Sequence, residues 1–412
     1  MLQLISTRRF PTLERVFLFL AWGLLSMGGV EARAASYFVN DSSTNGDVYC
    51  SAVGSDAASG LSGSVPKLTI TNLLASYPLV AGDILYIDAG VYSNYTVTVT
   101  NSGTAANPIV IQGSTNRING LTVINVNNGL APALWLRNAG NIVIRSLTLR
   151  GGDAGCYAAG STNVHVVEVT AIANHVGFQV GTSVSSLFSR CIAFGNTFDI
   201  YMSDGSPVRW GDGVCWSNRI SFFNSSSISV SNSVIAFFEI FSDFSLPGRM
   251  DSVVFWSGKL PAGYDFLHRV EAASANYTRL VWADPQFANP ASNDFHLKSV
   301  MGRVDMVAGL WVTDTVHSAL IDLGNSARAY TNEPEPRGTA INIGRYGDTA
   351  EASLSRTNPW LYAATFNDGG AFTGTGMLWW AGGGFTNDST VRVQYSTNAG
   401  ADWVTLAGGI PT

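Results

Sequence analysis

Charge is scarce in this chain: Asp, Glu, Lys and Arg together make up 13% of 412 residues, about half the share usual in globular domains. Long solvent-exposed helices, which need charged faces, are therefore not expected. Basic charge is scarcer still, with 23 Lys and Arg against 29 Asp and Glu, and three lysines in all, Lys67, Lys259 and Lys298. A net charge of −6 disfavours nucleic acid as a partner. The four cysteines, Cys50, Cys156, Cys191 and Cys215, show no close CxxC spacing, which argues against a zinc site and favours buried free thiols over a disulfide framework. The five histidines lack metal-ligand spacing, and no G-x-S-x-G, P-loop or H-E-x-x-H element is present.

Long apolar runs are also few. Beyond residue 30 none is long enough to span a bilayer. The one early run, VFLFLAWGLLSMGGV at 16–30, follows Arg8, Arg9 and Arg15 and precedes EARA, whose Ala32 and Ala34 offer a small-x-small cleavage site. Residues 1–34 are expected to be a secretory signal peptide, giving a secreted, extracellular or cell-surface protein with no membrane span in the mature chain. Cleavage after Ala34 removes four arginines and two glutamates, leaving 19 basic and 27 acidic residues and a net charge of −8.

Glycine, by contrast, is abundant, at 43 residues, and so are Ser, Thr and Asn. This is the texture of tight turns between short strands. Shifting the chain by 22 residues against itself aligns four segments starting near Ile142, Val164, Ser186 and Val208. Apolar residues then fall into columns: Ile144, Val166, Phe188, Trp210; Leu147, Val169, Cys191, Gly213; Leu149, Ala171, Ala193, Cys215; and Cys156, Phe178, Ile200, Phe222. They alternate with polar positions as in strands. A unit of 22 residues cannot enclose its own apolar face, whereas coils stacked about 4.8 Å apart enclose one continuous core. The fold predicted is an all-β parallel β-helix. Asn174, Asn196 and Asn218 recur at one turn, where stacked amides can hydrogen-bond along the axis, and Gly152 holds the slot one coil earlier.

On these columns the chain resembles the right-handed parallel β-helix proteins of the pectate-lyase-like superfamily. Two further regions carry the resemblance. Residues 37–113 are similar to the family's N-terminal segment, in which a short helix caps the first coil, with Leu68, Ile70, Leu73 and Leu74 placed to cover it. ADPQFANPASNDFHLKS (283–299) and SALIDLGNSARAYTNEPEPRGTAINIGRYGDTAEASLS (318–355) are similar to its closing motif. The resemblance implies right-handed coils, in keeping with parallel crossovers generally, and structural rather than catalytic roles for Asp284, Asp294, His296, Asp322 and Asn342. The β-helix is expected over 35–357. Residues 358–412 alternate in the manner of a small β-sandwich module but are too few to complete one.

Two outward groupings carry candidate chemistry. Asp153, His175, Asp199, Tyr201 and Arg219, with Tyr157, Gln179 and Asp204 beside them as substrate-binding candidates, combine carboxylate, imidazole, phenol and guanidinium on adjacent coils. That set suits general acid–base work on a sugar, with Arg stabilising a uronate carboxylate, although an exposed strand face is polar and aromatic in any case. The column Glu168, Arg190, Asp212 alternates in sign and suits a stabilising ladder. Asp199, Asp204 and Asp212 offer oxygen ligands of the kind calcium takes, but scattered carboxylates make a weak case and no cofactor is expected. The superfamily's lyases often use Lys or Arg as base, and its hydrolases carry N-T-D, D-D, G-H-G and R-I-K elements. G-H-G, D-D, R-I-K and the pectate-lyase R-x-P-x-x-R are missing here. Two functions stay open: a polysaccharide-interacting protein, lyase-like if it is an enzyme, and a non-catalytic adhesin-like module of a larger protein. A monomer is favoured.

Overall fold

The computed structural model describes residues 34–118, 120–181, 184–202, 207–216, 221–222, 227–236, 248–256, 275–366, 375–385, 388–398 and 400–411. The leader, Asn218, Arg219 and Asp204 lie outside them. Residues Ala35–Thr412 form one compact unit.

The columns read from the sequence are rows of a parallel solenoid. One wall runs through Ser36–Val39, Ile84–Ile87, Ile109–Gly113, Gly140–Arg145, Thr162–Val167, Val184–Ser189 and Val208–Gly211. A second holds the short strands Thr148–Arg150, Thr170–Ile172, Ile192–Phe194 and Val214–Trp216, and a third is a six-stranded sheet from Val97–Val99 to Ser221–Phe222. Strand Ile228–Ala236 pairs with both of the first two walls and joins them. Register is the 22-residue shift: Ile144, Val166, Phe188 and Trp210 are successive partners, and so are Leu149, Ala171, Ala193 and Cys215.

One column slips. Phe222, expected over Ile200, pairs with Met202. Two fewer residues separate Trp216 from Phe222 than separate Phe194 from Met202, so the coil shortens from 22 to 20, and Val208 pairs with Ile228. A slip of two preserves the inward face because strand side chains alternate with period two.

The core is a file of stacked side chains. Phe178, Phe188 and Trp210 pack together, with ring centroids 5.4–5.9 Å apart. Trp210 also explains why its neighbouring column ends in glycine: a Cβ on Gly213 would come within 2.4 Å of the indole Nε1. Cys156, Cys191 and Cys215 are buried free thiols in this core, and burial pushes Cys156 and Cys191 up to about 12. They are held as unreactive thiols.

Each coil turns from the first wall to the second through one residue in the left-handed region. Ser146, Glu168, Arg190 and Asp212 have φ of 52–58°. At the next corner Asn174 and Asn196 stack: the Asn174 backbone N and Nδ2 donate to Asn196 Oδ1 at 3.0 and 3.1 Å, and Gly152 N donates to Asn174 Oδ1 at 3.1 Å. Asn174→Ala strips partners from Gly152 N and two carbonyls inside a buried corner. Chemical denaturation should show a loss of about 2 kcal/mol; an unchanged midpoint would mean the ladder is not stabilising.

The first coil is covered. Helix Ile70–Ser76, capped by Thr69 Oγ1 accepting from Asn72 N at 3.3 Å, buries Ile70 and Leu73 against the first coil and packs Leu74 beside them. Leu68, expected in that cover, is exposed because it precedes the helix. At the other end, residues 284–355 fold back along the second wall. Its outward residues Ile192, Val214, Val234, Val254 and Val281 form a second core with Phe287, Phe295, Leu320, Ile343 and Tyr346. Within this segment Asp294 Oδ1 meets His296 Nδ1 at 2.7 Å, and Asn342 Oδ1 accepts from Asp322 N at 2.9 Å. Asp284 binds Gln286 on the surface. Beyond it lie two antiparallel hairpins, Trp360–Ala363 with Trp380–Gly383 and Thr390–Tyr395 with Val404–Pro411.

Candidate functional site

The outer face of the six-stranded sheet presents one continuous row. Thr98, Trp135, Tyr157, Gln179 and Tyr201 are successive strand partners. Their inward neighbours, including Leu134, Cys156, Phe178 and Ile200, fill the core, so period-two alternation holds these five on the outside. Trp135 and Tyr157 stack with centroids 6.2 Å apart and planes 7° from parallel. The Arg137 guanidinium carbon sits 5.3 Å from the Trp135 ring centre. Flat π faces at coil spacing, flanked by the Gln179 amide and the Tyr201 phenol, suit the apolar faces and hydroxyls of sugar rings.

Trp135 was not among the residues singled out from sequence, although it stands 22 positions before Tyr157. The shift of 22, carried one coil back from the segment at Ile142, leads to it.

The other candidates divide. Asp153 and His175 stack on consecutive coils at the start of these strands, where Val176 N donates to Asp153 O at 2.8 Å and Phe198 N to His175 O at 2.9 Å. His175 is exposed, with Phe198 edge-on at 5.4 Å. Tyr157 and Gln179 lie four residues further along, roughly 13 Å at strand rise, so the set is spread over a flat face. Asp199 is not on that face. Its row follows the asparagine corner, where alternation restarts: Gly155 and Gly177 occupy the preceding coils, and a Cβ on either would meet Asn174 or Asn196 Nδ2 within 3.0 Å. Asp199 is accordingly 0% exposed and accepts from Asn196 Nδ2 at 3.2 Å. Burial, with this carboxylate nearby, pushes the Cys215 thiol well up.

The alternating column proves to anchor the closing segment. Glu168 pairs with Arg117 at 2.5 Å, and Arg117 with Glu351 at 3.0 Å. Arg190 donates to Asp348 O at 3.4 Å, and Arg328 pairs with Asp212 at 2.8 Å. Burial alone would raise the Glu168 carboxyl, but Arg117, with Arg345 and Arg190 adding, holds it below its ordinary range. Asp212 thus helps hold the closing segment, with Asn232 Nδ2 donating to its Oδ1 at 2.9 Å. Among the described residues no cluster of three or more His, Cys, Asp or Glu is placed to hold a metal ion.

Where the closing segment leaves the second wall uncovered, a cleft of about 300 Å³ opens, lined by Thr148, Thr170, Glu168, Arg117, Arg345 and Tyr346 among others. A second cavity of about 290 Å³ lies beneath the first hairpin, against Trp379, Trp380 and Arg279. No helix among the described residues is long and apolar enough to cross a membrane.

No family model and no curated protein matches the chain. Among solved structures it is similar to a rhamnogalacturonan lyase, at 13% identity and a TM-score of 0.43 over 55% of this chain and 69% of that one. An alginate lyase from Paenibacillus sp. matches at 14% identity and 0.37, over 46% of this chain and 74% of that one. A pectate lyase matches at 13% identity and 0.42, over 76% of this chain and 97% of that one.

Proposed function

We propose that this protein is exported and engages an extended polysaccharide along the outer face of the six-stranded sheet. The observation that carries this reading is the stacked Trp135–Tyr157 pair, with Arg137 over the indole, continued by Gln179 and Tyr201 in one row. A solenoid repeats that row at a spacing of about 4.8 Å, so a linear polymer lying across the coils meets an aromatic or polar contact at each. The basic and apolar first 34 residues support export. A net acidic chain favours a neutral glycan over a polyanion.

The geometry supports binding over cleavage at this face. Asp153 and His175 adjoin on consecutive coils but stand roughly 13 Å along the strands from the aromatic row, and Asp199 is buried, so the acid–base pair does not face the ring-stacking surface. Asp153 and His175 remain the pair on which proton transfer would fall.

Trp135→Ala should weaken polysaccharide binding about tenfold, the equivalent of about 1.4 kcal/mol of lost stacking, read as mobility through gels containing a panel of neutral and acidic glycans. Retention equal to that of the native chain for every glycan bound would remove this face from the proposal. Appearance of unsaturated uronate products, abolished by His175→Ala, would replace binding by lyase chemistry. Failure of the intact protein to bind any glycan would favour the adhesin-like structural module.

A further inference from the structure

Arg345 is a buried cation with no close ion pair: the Glu168 carboxylate, which lines the same cleft, feels its charge but pairs with Arg117. Arg345 is 8% exposed, and its Nη1 donates to Thr170 Oγ1 at 3.3 Å while its Nε has no hydrogen-bond partner among the described residues. Its guanidinium lies 5.8 Å from the Tyr346 ring centre. No carboxylate among the described residues comes within 4.0 Å of it. Glu168 and Glu351 both converge on Arg117 instead, at 2.5 and 3.0 Å. A buried arginine that is neither paired nor fully hydrogen-bonded is costly, and a charged ligand completing the fork removes that cost.

The same side chain lines the open cleft of about 300 Å³ between the second wall and the closing segment. Its floor is the outward row Thr148, Thr170 and Ile192, and its rim includes Asn293 and Val307. Hydroxyls and an amide beside a guanidinium suit a planar or tetrahedral oxyanion attached to a small polar body. The cleft lies on the second wall, apart from the aromatic face of the six-stranded sheet.

We propose that this cleft binds a small oxyanion, the carboxylate of an acidic monosaccharide or a free phosphate, with the Arg345 guanidinium as its anchor. The inference does not depend on the glycan-binding reading, since the two sites share no residue.

Calorimetric titration of the intact protein with sodium galacturonate, with inorganic phosphate and with sodium chloride at matched ionic strength tests it. The expected result is saturable binding of at least one of the first two, absent with chloride, weakened about tenfold or more in Arg345→Gln and unchanged in Trp135→Ala. Galacturonate alone binding identifies an acidic-sugar site; both binding identifies a general oxyanion site. Because Arg345→Gln disturbs a packed region, Val307→Trp serves as a second variant: Val307 is 85% exposed on the rim, so an indole there obstructs the mouth without entering the core. Saturation unaffected by both variants, or no saturable heat from either anion, overturns the proposal.

Discussion

Trp210→Ala lowers the unfolding free energy by about 3–5 kcal/mol, the range for deleting a large buried aromatic. Trp210 is 1% exposed and touches Phe178 in the neighbouring wall and Phe188 one coil below. Its loss opens a void that neither ring can fill, because each is fixed in its own row by strand pairing. Trp210→Phe is the informative contrast. The indole Nε1 has no hydrogen-bond partner among the described residues, so phenylalanine surrenders an unsatisfied donor along with volume and should cost under about 1.5 kcal/mol. Urea unfolding followed by circular dichroism reads both. Near-equal losses for the two variants would show that the indole is not packed as described.

Stability falls as pH rises from about 5 to 8, and Glu333→Gln removes much of that fall. Glu333 is 3% exposed, with Oε1 accepting from Asn342 N at 2.9 Å and Asp348 N at 3.0 Å. Burial, outweighing those hydrogen bonds and reinforced by Asp322 and Asp348, pushes its carboxyl from 4.5 to about 7. Burial likewise pushes Asp322 from 3.8 to about 6, against the opposing pull of Ser355 and Gly338. The sign follows from proton counting. Between the unfolded and folded values the native chain keeps a proton that the unfolded chain has released, so rising pH favours unfolding. The Glu333 contribution is full below about pH 4.5 and lost above about pH 7, amounting to about 3 kcal/mol. His317, pushed down to about 4 by burial, acts with the opposite sign between about pH 4 and 6.5, and Glu333 and Asp322 together outweigh it. Glutamine keeps the carbonyl acceptor without the charge. The variant should melt higher than the native chain at pH 8 and match it near pH 5. A native melting temperature that is flat or rising between pH 5 and 8 would refute the assignment.

Both residues illustrate where sequence reading reaches and where it stops. Trp210 was visible as the last member of a column because stacked strands repeat side-chain direction at a fixed shift. Phe222 was misplaced by the same rule, since a coil shorter by two residues keeps a period of two and is silent in an alternation pattern. Asp199 looked outward by counting twos, but the chain bends at the asparagine corner and the count restarts there. The outward valines 214, 234, 254 and 281 form an apolar row in the structure, and nothing local in the sequence says that residues 284–355 return to cover them. Glu333 and Arg345 owe their burial entirely to that return.

The sequence by itself determined the solenoid, its inward rows, the asparagine ladder and the aromatic members of the outer face, because each follows from periodic pairing between neighbouring coils. Only the tertiary structure decided which outward surface stays open, which carboxylates are buried, and where a cleft remains. Those outcomes depend on where a segment more than a hundred residues away lays itself down, as Arg345 does against Thr170, 175 positions apart in the chain. Contacts of that separation leave no period in the sequence to read.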